Sequence, residues 1–387
     1  MKVYAMAKKT AWIFFLAAFF YSVHANALET IAKQVILVDF DTGAVLFEKN
    51  ADKKMPPASM SKLMTAYILL ERLQNGSLDL DDEFTVSENA WRKGGAKTGS
   101  STMFLRIGQR VKLKDLLRGI IVQSGNDACI TAAEGVSGTE KDFVVLENEK
   151  AKELGLKNTH LTNSTGWPDK EHVMSARDLS ILASRLIRDF PEYYTIYSEK
   201  EFTYNKIKQG NRNPLLYLMQ GADGLKTGHT SVSGYGLTAS AKRKDRRLIL
   251  VINGLKSMKE RSTEAERLMR WGFREFDNYK VLKKGAEVVR IPVWQGEEKN
   301  VAAVPDENVT LTLKVGRQKD IKVVVTYDSP LKAPVAKGQI VGEAKIIVPD
   351  QEPRTVPLFA EKDVPRVKIF EQLKEIIKYM LFSGKSF

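Results

Sequence analysis

The feature that most constrains this chain is an apolar run standing directly behind two prolines. Pro56 and Pro57 end whatever precedes them, and Ser59-Met60-Ser61-Lys62 leads into Leu63, Met64, Tyr67, Ile68, Leu69, Leu70 and Leu73. Apolar side chains fall on nearly every face of residues 60–73, the pattern of a helix buried in the middle of a domain. The rest of the chain must therefore wrap other elements around it. Ser59 lies where this helix begins, at backbone N–H groups that favour negative charge. Lys62 is one helical step on, within reach of the Ser59 hydroxyl. A serine attacks poorly until a neighbouring base takes its proton, and lysine is such a base only when burial or nearby positive charge lowers its pKa. The run is thus either a Ser–Lys nucleophile pair or a helix-capping serine with a lysine in the first turn. The four residues alone do not choose, because Ser329-Pro330-Leu331-Lys332 repeats the spacing in a β-rich segment.

A chain of 387 residues, 43% hydrophobic and 28% charged, has room for two globular domains and a large core. Its first 27 residues stand apart: Lys2, Lys8 and Lys9 precede the apolar stretch from Ala11 to Phe20, and Ala25-Asn26-Ala27 offers a small-residue cleavage site. That is the pattern of a secretory signal peptide over residues 1–27, too short for a spanning helix. Its removal takes three lysines and no acid from a formal net charge of +13, so the mature chain stays basic. A basic exported protein suits an anionic partner such as a membrane surface or a cell-wall polymer, and export argues against nucleic acid. The single cysteine, Cys129, lies in an apolar segment and cannot form an intramolecular disulfide. It is expected to be a small buried hydrophobe.

Val35–Asp39 and Ala44–Glu48 flank Asp41-Thr42-Gly43 and read as a β-hairpin. Residues 94–101 read as a flexible glycine-rich loop. Residues 112–122 and 127–134 read as helices broken by Ser124-Gly125-Asn126, with further helices over 141–154 and 176–187. Three strand-like runs follow at 225–230, 235–241 and 247–253, then a helix over 262–276. Beyond residue 284 the chain is strand after strand. Val309, Leu311, Leu313 and Val315 alternate with Thr310, Thr312 and Lys314, as in a half-buried strand. The expected organisation is a signal peptide over 1–27, an α/β domain over 28–283, a small all-β domain over 284–358, and a linker with a terminal helix over 359–387.

Acyl transfer on a Ser–Lys pair needs a further polar group to relay protons, and a positive group with backbone donors at a strand edge to hold an anionic substrate. Two sets could supply them: Ser124-Gly125-Asn126 with Lys226-Thr227-Gly228, or Ser87-Glu88-Asn89 with Lys97-Thr98-Gly99. Capping roles for the serines and a solvated role for each lysine are the plainer readings of any one motif. Context favours the first set. Ser124 and Asn126 occupy a break between helices, and Lys226 opens a strand on which Gly228 lets a ligand backbone lie close.

Ser-x-x-Lys, Ser-x-Asn and Lys-Thr-Gly in this order resemble the penicillin-recognising serine enzymes. Ser124-Gly125-Asn126-Asp127-Ala128, Met174-Ser175-Ala176-Arg177-Asp178 and Asp223-Gly224-Leu225-Lys226-Thr227-Gly228-His229-Thr230 look more closely like the serine D-alanyl-D-alanine carboxypeptidases, the low-molecular-mass penicillin-binding proteins. The likeness runs from about Val35 to the C-terminus. It implies an α/β, β-lactamase/transpeptidase-like domain (an antiparallel sheet with helices) followed by a small all-β domain and a C-terminal amphipathic helix. It also implies that Ser59 attacks the bond between two D-alanines of a peptidoglycan stem peptide, with Lys62 as general base and Ser124 as proton relay. Asn126 would orient the substrate amide, Lys226 supply positive potential, and Thr227 and Arg212 hold the terminal carboxylate. The backbone N–H groups of Ser59 and His229 would form the oxyanion hole. β-Lactams would acylate the same serine. No cofactor is called for, and His160, His172 and His229 lack metal-ligand spacing.

Two other readings share these motifs. A class A β-lactamase needs an acidic residue to activate the deacylating water, and no Glu-x-x-Leu-Asn occurs in residues 127–225. A sensor module would be acylated by penicillin but turn over nothing. At the far end, Ile369, Phe370, Leu373, Ile376, Ile377, Met380 and Leu381 form an apolar stripe opposite Lys368, Glu371, Lys374, Glu375 and Lys378. The stripe alone equally fits a helix docked on the β domain or one that dimerises. With the export signal and the terminal position after Val364-Pro365, the resemblance to family members anchored this way implies that a helix over residues 366–382 lies on a membrane surface. It would lie on the periplasmic side of the inner membrane, without spanning it.

Overall fold

The structure, a computed structural model, describes residues 28–368. The expected signal peptide and nearly all of the expected amphipathic helix lie outside the described residues. Among the described residues no helix is long and apolar enough to cross a membrane.

The larger N-terminal part, through Glu275, is an α/β layer structure around a five-stranded antiparallel sheet. The hairpin read from Asp41-Thr42-Gly43 forms from β1 (Gln34–Asp39) and β2 (Val45–Lys49). After an extended excursion the chain returns as β3 (Ala222–Thr230), β4 (Gly234–Arg243) and β5 (Arg246–Leu255), giving the order β2-β1-β5-β4-β3. Every residue of β1 is buried, because strands flank it on both sides and helices cover both faces of the sheet. Ile36 and Val38 face one layer, and Leu37 packs against Gly272 of the other. β3 is the outer strand, so one of its edges stays open.

The excursion supplies the helices. These are α1 (Lys62–Gln74), α2 (Glu88–Gly94), α3 (Leu113–Arg118), α4 (Asn126–Ser137), α5 (Glu140–Glu153) and α6 (Ala176–Asp189). α1 buries ten of its residues, as its all-round apolar pattern requires. α6 buries Ala176, Leu179, Leu182, Ala183, Leu186 and Ile187, the stripe of an amphipathic helix, and Ser175 caps it by accepting from Asp178 N. The helix expected over 112–122 is divided. It is α-helical to Arg118 and widens into a π-helical turn over Gly119–Gln123, which ends with Ser124 in the left-handed region at φ +62°. α7 (Met258–Glu275) starts four residues before the expected helix, because Ser257 accepts from Glu260 N and forms a cap that hydrophobic pattern alone does not reveal.

The C-terminal part is β-rich, begins earlier than residue 284 and runs past residue 358, since Val364 and Arg366 bridge to Val335 and Gly296. Strand β6 (Phe276–Leu282) pairs with β9 (Val309–Lys314). Around them stand β7 (Val289–Trp294), β8 (Asn300–Val304), β10 (Lys322–Thr326), β11 (Leu331–Lys332), β12 (Ile340–Ile347) and β13 (Arg354–Ala360), in a sheet ordered β10-β12-β13-β8-β7-β11. Its own core includes Ile291, Val301, Val309, Ile346, Val356 and Leu358. The alternation read over 309–315 breaks at two places. Thr312 is buried because its hydroxyl donates to Asn278 Oδ1 (2.7 Å) and meets Thr42 Oγ1 (2.5 Å), whereas Val315, past the strand's end, is exposed. These contacts, with Asn278 Nδ2 donating to buried Asp39 (3.2 Å), tie the β-rich part to the β1–β2 turn.

Candidate active site

Ser59 does not sit in the α-helix itself. Ala58–Ser61 form a tighter 3₁₀ turn, and Lys62 is the first residue of α1. Ala58, just before the serine, has φ +49°, a region costly for a residue with a Cβ. Neighbouring backbone crowds this turn. A Cβ on Gly166 would stand 2.1 Å from Ala58 O, and one on Gly228 would stand 2.6 Å from Pro57 O and 3.1 Å from Met60 Cγ. Gly228 lines the cleft, and the side a Cβ would occupy faces the serine-bearing turn, so glycine here also lets β3 pack beneath Ser59.

Lys62 is 1% exposed, and its Nζ donates to Ser59 Oγ (3.0 Å), Asn126 Oδ1 (2.7 Å) and Thr165 O (2.5 Å). No carboxylate is among these partners. Burial lowers its pKa to about 8, with Arg212 pushing the same way against Cys129 and Asp127. An amine with all three partners being oxygens and a depressed pKa can hand over or accept a proton near neutrality.

The second lysine is built similarly. Lys226, in the middle of β3, is 3% exposed, and its Nζ donates to Ser124 Oγ (2.8 Å) and Thr227 O (3.2 Å). Burial, and then the charges of Lys62 and Arg212, hold its ammonium well below the ordinary lysine value. Its direct contact with Ser124 couples it to the expected relay hydroxyl. Asn126 bridges the lysine side to the opposite loop, as its Nδ2 donates to Ser100 Oγ (3.0 Å).

Ser59, Ser124, Asn126, Arg212, Thr227, Gly228 and His229 all line one cleft of about 740 Å³, with Lys62 and Lys226 behind Ser59 and Ser124. His229 stacks on Tyr235, ring centroids 3.9 Å apart. Arg212 is exposed toward the cleft and donates to Ser101 Oγ. Every residue singled out for the site is therefore brought together. The other set is split: Thr98 and Gly99 line the cleft, but Ser87, Asn89 and Lys97 do not. Ser87 caps α2 by accepting from Ala90 N (2.9 Å), and Ser87 and Asn89 both donate to Glu134 (2.6 and 2.8 Å). Lys97 is exposed over the Trp91 ring, and Ser329 and Lys332 are exposed in the β-rich part.

Several cleft residues escaped the sequence reading. Thr165 contributes only a carbonyl, Ser100 and Ser101 belong to the loop read as flexible, and Arg261 reaches in from α7. Nothing in their local pattern marks them. Cys129 is fully buried as expected, and burial pushes its thiol up to about 12.

A helical layer on an antiparallel sheet, with Ser–Lys, Ser-x-Asn and Lys-Thr-Gly converging at the open edge strand, defines the fold class of the penicillin-recognising serine enzymes. The D-alanyl-D-alanine carboxypeptidase family model matches residues 21–257, and that of the C-terminal domain of penicillin-binding protein 5 matches residues 276–366. The chain is 40% identical over 352 residues to the D-alanyl-D-alanine carboxypeptidase DacA of Escherichia coli K12, covering 90% of this chain and 87% of that one. Penicillin-binding protein 5 from Haemophilus influenzae superposes with a TM-score of 0.78 at 39% identity, over 88% of this chain and 99% of that one. Penicillin-binding protein D2 from Listeria monocytogenes, in its ampicillin-bound form, matches 64% of this chain and 99% of its own at 32% identity and a TM-score of 0.56. The chain belongs to the serine D-alanyl-D-alanine carboxypeptidase family.

Proposed function

We propose that the chain removes the terminal D-alanine from peptidoglycan stem peptides through an ester on Ser59. The observation that carries this reading is the Lys62 amine, buried, depressed to about 8 and 3.0 Å from Ser59 Oγ. Lys62 takes the Ser59 proton as Oγ bonds to the carbonyl carbon between the two D-alanines. The oxyanion accepts from the Ser59 and His229 backbone N–H groups. The C–N bond then breaks, and the leaving D-alanine takes its proton from the Ser124 side, where Lys226 holds that hydroxyl. Asn126 orients the substrate amide, while Arg212 and Thr227 bind the terminal carboxylate. Water then attacks the ester and frees the shortened peptide and Ser59.

β-Lactams enter the same step, and their ester should persist. Among the described residues, none lining the cleft carries a carboxylate to activate water against it. That favours the peptidase over the β-lactamase reading. Intact-mass measurement after penicillin treatment, with the adduct mapped, tests the assignment: an adduct on Ser59, together with D-alanine release from a model peptide, is expected. An adduct on Ser87, Ser124 or Ser329 overturns it. Mapping to Ser59 with no D-alanine release would favour a sensor module, and rapid penicillin turnover a β-lactamase.

The location we propose is the periplasmic face of the inner membrane, reached through the leader at 1–27 and held by the basic amphipathic segment over 366–382. The support is the charge and spacing of those segments. A chain ending at Lys368, which keeps buried Val364 and the bridges of Val364 and Arg366 to Val335 and Gly296, should leave the membrane fraction and stay active; retention after a salt wash would rule out the anchor.

A further inference from the structure

Buried polar groups outside the cleft converge beneath the loop that holds Lys62. Thr65, one turn beyond Lys62 on α1, is fully buried, and its Oγ1 lies 2.8 Å from Glu147 Oε1 and 2.8 Å from Ser164 O. Glu147, on α5, is fully buried as well, and its Oε2 has no hydrogen-bond partner. The next residue in the loop, Thr165, supplies the carbonyl that accepts from Lys62 Nζ.

Counting protons assigns the charge state. A threonine hydroxyl has one proton to give, yet both of its close neighbours are carbonyl or carboxyl oxygens. If Glu147 were ionised, one of those two contacts would have no proton, in a buried setting where an unpaired polar atom is costly. If Glu147 is a neutral acid, it donates to Thr65 Oγ1, Thr65 donates to Ser164 O, and both contacts are satisfied. We propose that Glu147 is a positioning residue held as a neutral carboxylic acid, whose hydrogen bond, passed on by Thr65, pins the Ser164–Thr165 loop and so keeps Lys62 on Ser59. This rests on the reading of Lys62 as the base.

The surroundings agree. Burial, with Glu140 adding and Thr65 opposing, pushes the Glu147 carboxyl up to about 8. From α1 the group meets Thr65, with Lys62 a turn before it. From α4 it is faced by the Cys129 thiol. On its own helix stands Glu140, whose carboxylate accepts from Ser164 N (3.2 Å) and Ser164 Oγ (2.8 Å). As pH rises through about 8 Glu147 loses its proton, claims the Thr65 hydrogen for itself and leaves Ser164 O without a donor. Activity is then lost on the alkaline side through a group that never touches substrate.

The test is the rate of penicillin ester formation on Ser59 across pH, for wild type and Glu147→Gln, whose amide keeps a donor but has no proton to lose. The ratio of variant to wild type should be near one well below pH 8 and climb to roughly tenfold above it, the effect of one lost hydrogen bond on a catalytic group. A ratio constant with pH overturns the proposal. Thr65→Val, which cuts the relay, should slow acylation roughly tenfold at neutral pH, and Thr65→Ser should restore it; a Thr65→Val enzyme as fast as wild type overturns the relay. Infrared spectroscopy of the unaltered protein needs no variant: a protonated-carboxyl band at neutral pH should vanish as pH passes 8. Its absence at neutral pH overturns the proton assignment alone, whereas an adduct mapped away from Ser59 overturns the catalytic reading beneath it.

Discussion

The chain contains Lys-Thr-Gly twice, at 97–99 and 226–228, and both segments contribute residues to the same cleft. They differ in what surrounds the lysine. Lys226 lies within a strand paired to β4 opposite Thr238, under helices that leave it 3% exposed, and its amine meets the Ser124 hydroxyl. Lys97 stands on a short turn closed by Gly99 at φ +68°, with its amine in solvent 5.1 Å from the Trp91 ring centroid. A lysine changes chemically only when desolvation or a like charge destabilises its ammonium form, and a loop at the surface supplies little of either. The three letters therefore name a site only where the fold has removed the water.

The sharpest way to break this comparison is to delete each lysine in turn. Lys226→Ala should lower the acylation rate of Ser59 by roughly 10²–10⁴, the range for loss of a proton-relay or electrostatic group. Lys97→Ala should leave it within about twofold, as for a surface change. Stopped-flow measurement of penicillin acylation reads both, and equal losses would mean that burial is not what separates the two segments.

pH supplies the next largest effect. With Lys62 depressed to about 8, the neutral base grows with pH, so acylation should rise about tenfold per unit below pH 8, stop rising there, and in the wild type fall once Glu147 ionises. An amine at the ordinary value would keep climbing toward pH 10, and a profile of that kind would dismiss Lys62 as the base. Stability carries the same signature. The unfolded chain holds the Lys62 proton up to its ordinary value of 10.5 and the native state only to about 8, so the unfolded state binds more protons in between and folding gains stability across that window. Lys62→Met should remove its share of the gain and leave that of Lys226, whose ammonium is depressed by burial as well.

A smaller and more selective effect is expected at Arg212, which faces the cleft from outside the Lys226 strand. Arg212→Ala should cost peptides with a free C-terminal carboxylate roughly tenfold more in kcat/KM than their C-terminal amides, since one charge-assisted hydrogen bond is at stake. Equal losses on both substrates would make the Arg212 contact with Ser101 structural.

What could be read from the sequence was whatever local pattern fixes. The all-round apolar helix behind Ser59, the β1–β2 hairpin, the three returning strands and the order of the three motifs are local, and each stands in the structure. What stayed hidden depends on contacts between segments far apart in the chain. The Thr165 carbonyl on Lys62, the Gly228 packing under Pro57 and the burial of Thr312 against Thr42 each join residues roughly a hundred or more positions apart. No periodicity encodes such a pair. Glu147 shows the limit most clearly: in sequence it is one more acid on a charged helix, and only the packing of α5 against α1 makes it a buried acid beside Thr65.

The smallest expected effect concerns the other serine motif, and it separates a structural role from a chemical one. Ser87 holds the first turn of α2 by accepting from Ala90 N, and it donates to Glu134 Oε2 at 2.6 Å, so it joins α2 to α4. Ser124 has no such capping bond; its hydroxyl accepts from Lys226. Ser87→Ala should therefore cost about 1–2 kcal/mol of stability, the usual loss of a helix cap with one further hydrogen bond. For a chain of this size that is a shift of only a few degrees, about 2–4 °C or less in Tm. The acylation rate should not move, because Glu134 and α2 stand behind the cleft rather than in it. Ser124→Ala should do the reverse, leaving Tm nearly unchanged while acylation falls. Calorimetry and acylation kinetics on the two variants decide the matter: if Ser87→Ala slows acylation at unchanged Tm, α2 contributes chemistry that its hydrogen bonds do not account for.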